Sequence, residues 1–276
     1  MASRRQTVEL FASALESYCP PREALSAARM LVCDMTGITL TQLLLEPDAE
    51  AGIGDLEGIA AQLRDGRPVQ YVAGFAEFCS RRFAVGEGVL IPRPETEELV
   101  LRAVSLQPQS LLDLCTGSGC IAVTAACMLP EAGVMATDIS AAALEYARRN
   151  AASHGAEVEF IQADIFDMPP LGCTFDVILS NPPYIPLSER ESMRRNVVDH
   201  EPGEALFVGD DDPVRFYRAV AAVAQRSLAP AGTVMVEIHE RFAEAVMECF
   251  AAAGFGMRQM LRDMNDKPRI VCARRA

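Results

Sequence analysis

The chain has 276 residues, half of them apolar and under a quarter charged, the composition of a folded globular protein with room for one large domain and a smaller one. Its formal net charge is −13, which argues against a protein that grips duplex nucleic acid mainly through phosphates; basic charge is nearly all arginine, with Lys267 the sole lysine, as codon bias would give. Nine cysteines form no C-x-x-C pair, and no histidine lies beside the closest two, Cys115 and Cys120, so free thiols in the cytoplasm are expected and a metal site is not.

No apolar run is long enough to span a bilayer, and Met1 to Leu10 lacks the apolar stretch of a secretory signal. Residues 1–73 read as a small helical bundle. Val8, Leu10, Phe11, Ala14 and Leu15 recur at helical spacing. Pro20-Pro21 ends that helix and opens the next, which runs through Ala24, Ala28, Leu31 and Val32. Short helices are expected at Leu43 to Leu45 and from Asp55 to Leu63, with Gly66 as a C-terminal stop. The bundle is expected to dock a macromolecular substrate, because the remaining chain carries a complete set of chemistry.

Residues 74–92 read as a β-hairpin linker. Phe78, Phe83 and Val85 lie in short extended segments, and Gly86-Glu87-Gly88 offers a turn before Val89. The segment Ile91-Pro92-Arg93-Pro94-Glu95-Thr96-Glu97 follows, with Thr96 placed as the N-cap of a helix. From residue 93 to 276, strands and helices alternate. Strands are expected at Ser110–Cys115, Val134–Asp138, Glu157–Asp164, Phe175–Asn181, Thr233–His239, Gly256–Arg262 and Arg269–Ala273. Helices are expected at Ile121–Met128, Ala141–His154, Pro213–Leu228 and Arg241–Ala253. Such alternation predicts a doubly wound, mostly parallel α/β sheet with ligands at the carboxyl ends of its strands.

The loop Asp113-Leu114-Cys115-Thr116-Gly117-Ser118-Gly119 joins the first of these strands to a helix, and its glycines let the backbone turn sharply against a ligand. Asp138 ends the next strand, where a carboxylate accepts ribose hydroxyls. Gly117-x-Gly119-x-x-Ala122 with Asp138 fits a nicotinamide dinucleotide as well as S-adenosylmethionine. Asp113 suits a ligand ammonium rather than a pyrophosphate, and Asp164 suits an adenine, so the balance falls to S-adenosylmethionine.

The apolar run Val177-Ile178-Leu179 ends in Asn181-Pro182-Pro183-Tyr184. The two prolines stiffen the turn by fixing their own φ and restricting the residue before each. Asn181 Oδ1 and the Pro182 carbonyl are two acceptors for a planar NH2 group, with Tyr184 supplying a flat face. A clamp of this kind serves methylation of an amide or exocyclic amine nitrogen.

These residues carry a family resemblance over nearly the whole chain. The I-P-R-P-x-T-E segment, the D-x-x-x-G-x-G loop, Asn181-Pro182-Pro183-Tyr184, and Glu201-Pro202 with Ala205-Leu206 resemble the release factor glutamine methyltransferases, the PrmC/HemK family. The resemblance implies a seven-stranded class I methyltransferase sheet. It implies methyl transfer from S-adenosyl-L-methionine, with S-adenosyl-L-homocysteine as product, to the glutamine side-chain nitrogen in the Gly-Gly-Gln motif of class 1 peptide chain release factors. Thr116, Gly117, Ser118, Gly119, Asp138 and Ile165 match cofactor positions. Asn181 to Tyr184 match the substrate clamp, and Arg93 is placed with them. A monomer with no membrane and no direct nucleic-acid contact is expected; the alternative is a methyltransferase for an exocyclic amine of DNA or rRNA, which shares the clamp. Cys115 stands where the family usually has glycine, Ile165 where an aromatic is frequent, Asp211-Asp212-Pro213 where Asp-Gly-Leu is common, and His239 where glycine is usual.

Overall fold

The computed structural model describes residues 2–263 and 265–275. The chain divides into two compact units: one holds Met1–Ala76, Val85–Glu87 and Ser192–Glu201, the other Glu77–Ala84, Gly88–Glu191 and Pro202–Ala276.

The first unit is helical. Helix α1 (Arg4–Leu15) and α3 (Leu40–Leu45) each open with a reciprocal capping box, Ser3 with Gln6 and Thr39 with Gln42, which satisfies two otherwise orphaned N–H groups per helix. Helix α2 (Pro21–Thr36) begins on a proline and stops at left-handed Gly37. Helices α4 (Leu56–Arg64) and α5 (Val69–Ala73) complete the set. Phe11, Ala28, Leu31 and Leu63 are its buried centre. Helix α5 follows Pro68 and was not expected from periodicity, because five residues are too few to show one. Within this unit Arg194 pairs with Glu23, and His200 Nε2 lies 3.1 Å from the Asp65 carbonyl.

Strands β1 (Phe75–Phe78) and β2 (Arg81–Ala84) form the hairpin. Its turn is Cys79-Ser80, not Gly86-Glu87-Gly88. Both turn residues have positive φ, 48° and 58°, as a two-residue hairpin of right-handed twist requires. Burial of Phe78 against Phe83, edge to face with centroids 6.0 Å apart, fixes this register and outweighs the cost of two non-glycine residues in the left-handed region.

The second unit carries α6 (Pro94–Ser105), β3 (Ser110–Leu114), α7 (Cys120–Met128), β4 (Gly133–Asp138), α8 (Ala141–His154), β5 (Glu159–Gln162) and β6 (Phe175–Ser180). After these come β7 (Ile185–Pro186), α9 (Arg195–Val198, in the first unit), α10 (Gly203–Leu206), β8 (Phe207–Val208), α11 (Arg215–Ser227), β9 (Leu228–Glu237), α12 (Ala243–Ala252), β10 (Met257–Arg262) and β11 (Pro268–Arg274). Seven strands make one sheet in the order β10-β11-β9-β6-β3-β4-β5. Pairings from β9 to β5 are parallel, while β11 runs antiparallel to both β9 and β10. Leu111, Leu112, Val177, Ile178, Leu179, Val234 and Val236 are buried, as the central strands of a parallel sheet covered on both faces must be. Helices α11 and α12 cover one face, α6 and α7 the other.

The chain runs outward from β3 through β4 to β5, then returns to lay β6 on the opposite side of β3. This reversal opens a crevice beyond the carboxyl ends of β3 and β6. The register sets Leu114 beside Ser180, so the loops starting at Cys115 and Asn181 leave the sheet side by side.

Candidate active site

A cavity of about 340 Å³ lies at those strand ends, a size suited to a nucleoside-bearing ligand. Its wall includes Arg93, Thr116, Gly117, Ser118, Asp138, Asp164, Ile165, Asn181 and Pro183. Gly119, Pro182, Tyr184 and Asp113 are not among its lining residues.

The glycine loop takes its shape from three left-handed residues, Cys115 (φ 62°), Gly117 (φ 55°) and Gly119 (φ 79°). A Cβ at Gly119 would lie 2.9 Å from the Ala147 Cβ, so this glycine permits α8 to pack on the loop. Cys115 adopts the conformation for which glycine is the usual residue, at a cost of roughly 1–2 kcal/mol for an L side chain. Asp138 ties the loop to the end of β4: Gly117 N donates to its Oδ2 at 2.8 Å and Ser140 N to its Oδ1 at 2.9 Å. Burial pushes its carboxyl upward, and those two N–H donors oppose the shift.

Asp113 differs from its expected place against a ligand. It is fully buried beneath the loop, where Oδ2 accepts the Thr116 hydroxyl at 2.5 Å and Oδ1 has no partner among the described residues. Burial raises its pKa to about 7. Its visible work is to anchor Thr116, whose N–H donates to the Thr137 carbonyl at 3.0 Å. Asp164 both lines the cavity and caps the turn Ile165–Asp167, accepting from Phe166 N at 2.9 Å. Ile165 is buried in the wall, and Phe166 beside it lines the cavity as well, tilted against Phe216 at 5.0 Å. The 3-10 turn thus restores an aromatic face one residue later than the usual position; the adjacent Phe in the sequence was the available signal.

At the end of β6, Asn181 Nδ2 donates to Thr96 Oγ1 at 3.1 Å, Thr96 donates to Glu237 Oε2 at 2.6 Å, and the Tyr184 hydroxyl donates to Glu237 Oε1 at 3.0 Å. Among the described residues, none donates to Asn181 Oδ1 or to the Pro182 carbonyl. Glu237 is buried, which pushes its carboxyl up; the Thr96 and Tyr184 hydroxyls oppose this. Burial also pushes the Tyr184 phenol well up, keeping it a neutral donor. Thr96 is not the helix N-cap. Arg93 holds that position with Pro94 as the first helical residue, because a proline there has its φ pre-set and needs no hydrogen-bond acceptor. Thr96 therefore sits inside the first turn of α6 with its hydroxyl free for Glu237. His239 bridges locally, its Nδ1 accepting from Arg241 N and its Nε2 3.2 Å from Glu189. Among the described residues, no cluster of three metal-binding side chains is present.

A methyltransferase-domain family model matches residues 108–269, and a PrmC N-terminal-domain model matches residues 6–74. The release factor glutamine methyltransferase of Bacteroides thetaiotaomicron is 39% identical over 267 residues, covering 95% of this chain and 96% of that protein. This chain belongs to the release factor glutamine methyltransferase family. The family member from Flavobacterium psychrophilum is 35% identical, with 95% of each chain covered. Among solved structures, a methyltransferase from Pyrococcus furiosus shares the fold, with a TM-score of 0.52 at 19% identity over 69% of this chain and 87% of that one. Membership of this family removes the dehydrogenase reading of Gly117-x-Gly119-x-x-Ala122, and the sheet is the mostly parallel seven-stranded one expected.

Proposed function

We propose that this protein methylates the side-chain nitrogen of the glutamine in the Gly-Gly-Gln motif of class 1 peptide chain release factors, using S-adenosyl-L-methionine and leaving S-adenosyl-L-homocysteine. The observation that carries the reading is the clamp: two carbonyl oxygens to which none of the described residues donates, one of them on Asn181 in the wall of the cavity that the glycine loop also lines.

The residues present fit the cofactor. Asp138 meets ribose hydroxyls, and Asp164 with the apolar faces of Ile165 and Phe166 holds an adenine. Thr116, Gly117 and Ser118 close over the rest. When bound, the cofactor supplies a methyl group on sulfonium, an excellent leaving group. An amide nitrogen is a poor nucleophile because its lone pair is delocalised. Asn181 Oδ1 and the Pro182 carbonyl each accept one N–H of the glutamine NH2 and turn the out-of-plane density of its nitrogen toward the methyl carbon. Positioning of this kind is worth up to ~7–11 kcal/mol in favourable cases. The methylated nitrogen sheds its extra proton to water, so no side-chain base is required. Pro183 and Arg93 shape the entrance, and Tyr184 holds the clamp through Glu237. The helical unit holds the release factor. The protein works in the cytoplasm, in keeping with cysteines that are all free.

The test is incubation with labelled cofactor and either unmodified release factor or nucleic acid, with mass spectrometry to locate the methyl group. Label on the Gly-Gly-Gln glutamine is expected. Label on nucleic acid alone would overturn the reading in favour of an exocyclic amine.

A further inference from the structure

Behind the clamp lie Thr96 and Glu237, each at most 2% exposed, which methyl transfer as described does not use. Their hydrogen bonds have a direction. A carboxylate only accepts, and a threonine hydroxyl has one proton to give. Glu237 receives the Thr96 proton on Oε2 and the Tyr184 proton on Oε1. With its proton committed, Thr96 Oγ1 can only accept, and it accepts from Asn181 Nδ2. An amide whose NH2 is held inward presents its carbonyl outward. The two orientations of a carboxamide have nearly the same shape, so packing alone does not choose between them; hydrogen bonding does.

We propose that Glu237, acting through Thr96, is a positioning residue that sets the polarity of the Asn181 carboxamide, keeping Oδ1 toward the cavity so that the clamp takes groups offering N–H and refuses groups offering only acceptors. The inference rests on the clamp reading above. It assigns the site a specificity rule: a glutamine amide presented through its NH2 is accepted, while a glutamate carboxylate in the same place meets only acceptors. It also gives the I-P-R-P-x-T-E segment a chemical task for its threonine. Glu237 comes from the end of β9 and Thr96 from the first turn of α6, so two elements 141 positions apart cooperate in orienting one side chain on a third.

The full-length protein is tested with release factor as substrate, following kcat, KM and cofactor Kd by calorimetry. Glu237→Gln keeps the shape but leaves one acceptor where there were two, so Thr96 and Tyr184 compete for it and the threonine proton is no longer committed. Thr96→Val keeps the shape and removes the hydroxyl. Thr96→Ser keeps the hydroxyl. Expected are losses of about 30-fold or more in kcat for Glu237→Gln and Thr96→Val, with cofactor Kd within about threefold, and Thr96→Ser within about threefold of the parent in kcat. Wild-type kcat in Thr96→Val, an equal loss in Thr96→Ser, or a loss expressed mainly in cofactor Kd would overturn the proposal. Circular dichroism identifies a variant that fails to fold; should Glu237→Gln fail, the Thr96 pair decides alone. If the unsubstituted protein methylates a nucleobase amine and no glutamine, the proposed substrate is wrong, and the same variants assayed on that amine still decide the polarity rule.

Discussion

At the ends of β3 and β4 the cavity wall is held by main-chain groups: the N–H of Gly117 and of Ser140 reach one carboxylate, and Thr116 N–H reaches the Thr137 carbonyl. At the end of β6 the wall is held by side chains, Asn181 to Thr96 to Glu237, with Tyr184 on the far oxygen. A wall built from backbone keeps its shape when side chains change, which is why cysteine is accommodated at position 115 and isoleucine at 165. A wall built from side chains depends on every donor and acceptor in the series, since a buried group left without its partner costs about 1–3 kcal/mol.

The sharpest way to break this contrast is Asn181→Ala. It is expected to lower kcat by about a thousandfold with cofactor Kd nearly unchanged, because only the target NH2 loses an acceptor. Steady-state kinetics alongside calorimetry checks it, and an equal loss of cofactor affinity would move Asn181 into the other half of the site. The next effect probes the buried carboxyl beneath the glycine loop. Asp113 has its pKa raised to about 7 by burial, so its proton is bound more tightly in the folded state than in the unfolded one. Wild-type stability should therefore fall as pH rises from about 4 through 7, where the ionised form takes over. Asp113→Asn cannot ionise, and its stability relative to wild type should improve by roughly 3 kcal/mol between pH 5 and pH 8 in denaturant unfolding. A difference independent of pH would mean that Asp113 titrates normally.

Asp138→Ala should weaken cofactor binding about 30-fold while kcat at saturating cofactor moves less than about threefold, since hydrogen bonds to a charged group contribute about 1.5–3 kcal/mol. Calorimetry against kcat separates the two. The smallest effect belongs to Cys115→Gly. Relief of a left-handed cysteine is offset by the greater freedom of glycine in the unfolded chain, so stability should stay within about 1 kcal/mol and cofactor Kd within about threefold. A large change in Kd would show that the loop reads the cofactor through side chains after all.

Much of the sheet was legible in the sequence because its signals are local. The helix expected at Ala141–His154 has those bounds in the structure, with Ser140 as cap and left-handed Gly155 as stop, and the apolar runs at β3, β4 and β6 form strands. The hairpin turn was not legible, because Cys79-Ser80 carry positive φ without glycine or asparagine while Gly86 and Gly88 nearby imitate a better turn. The buried series behind Asn181 was not legible for a different reason. Thr96 had a plausible local role at a helix start, and Glu237 read as one more residue of a strand; their meeting is a product of tertiary folding, with no periodicity to announce it. The burial of Asp113 was not legible either, since a strand-end carboxylate looks alike in sequence whether it faces a ligand or lies beneath a loop.

The missing Cβ of Gly119 lets Ala147 of α8 approach the loop to van der Waals limits. Position 147 is therefore under a size limit set by a cavity it does not line. A larger residue there would crowd the glycine turn, so a helix face with no ligand of its own is confined by the loop on the other side.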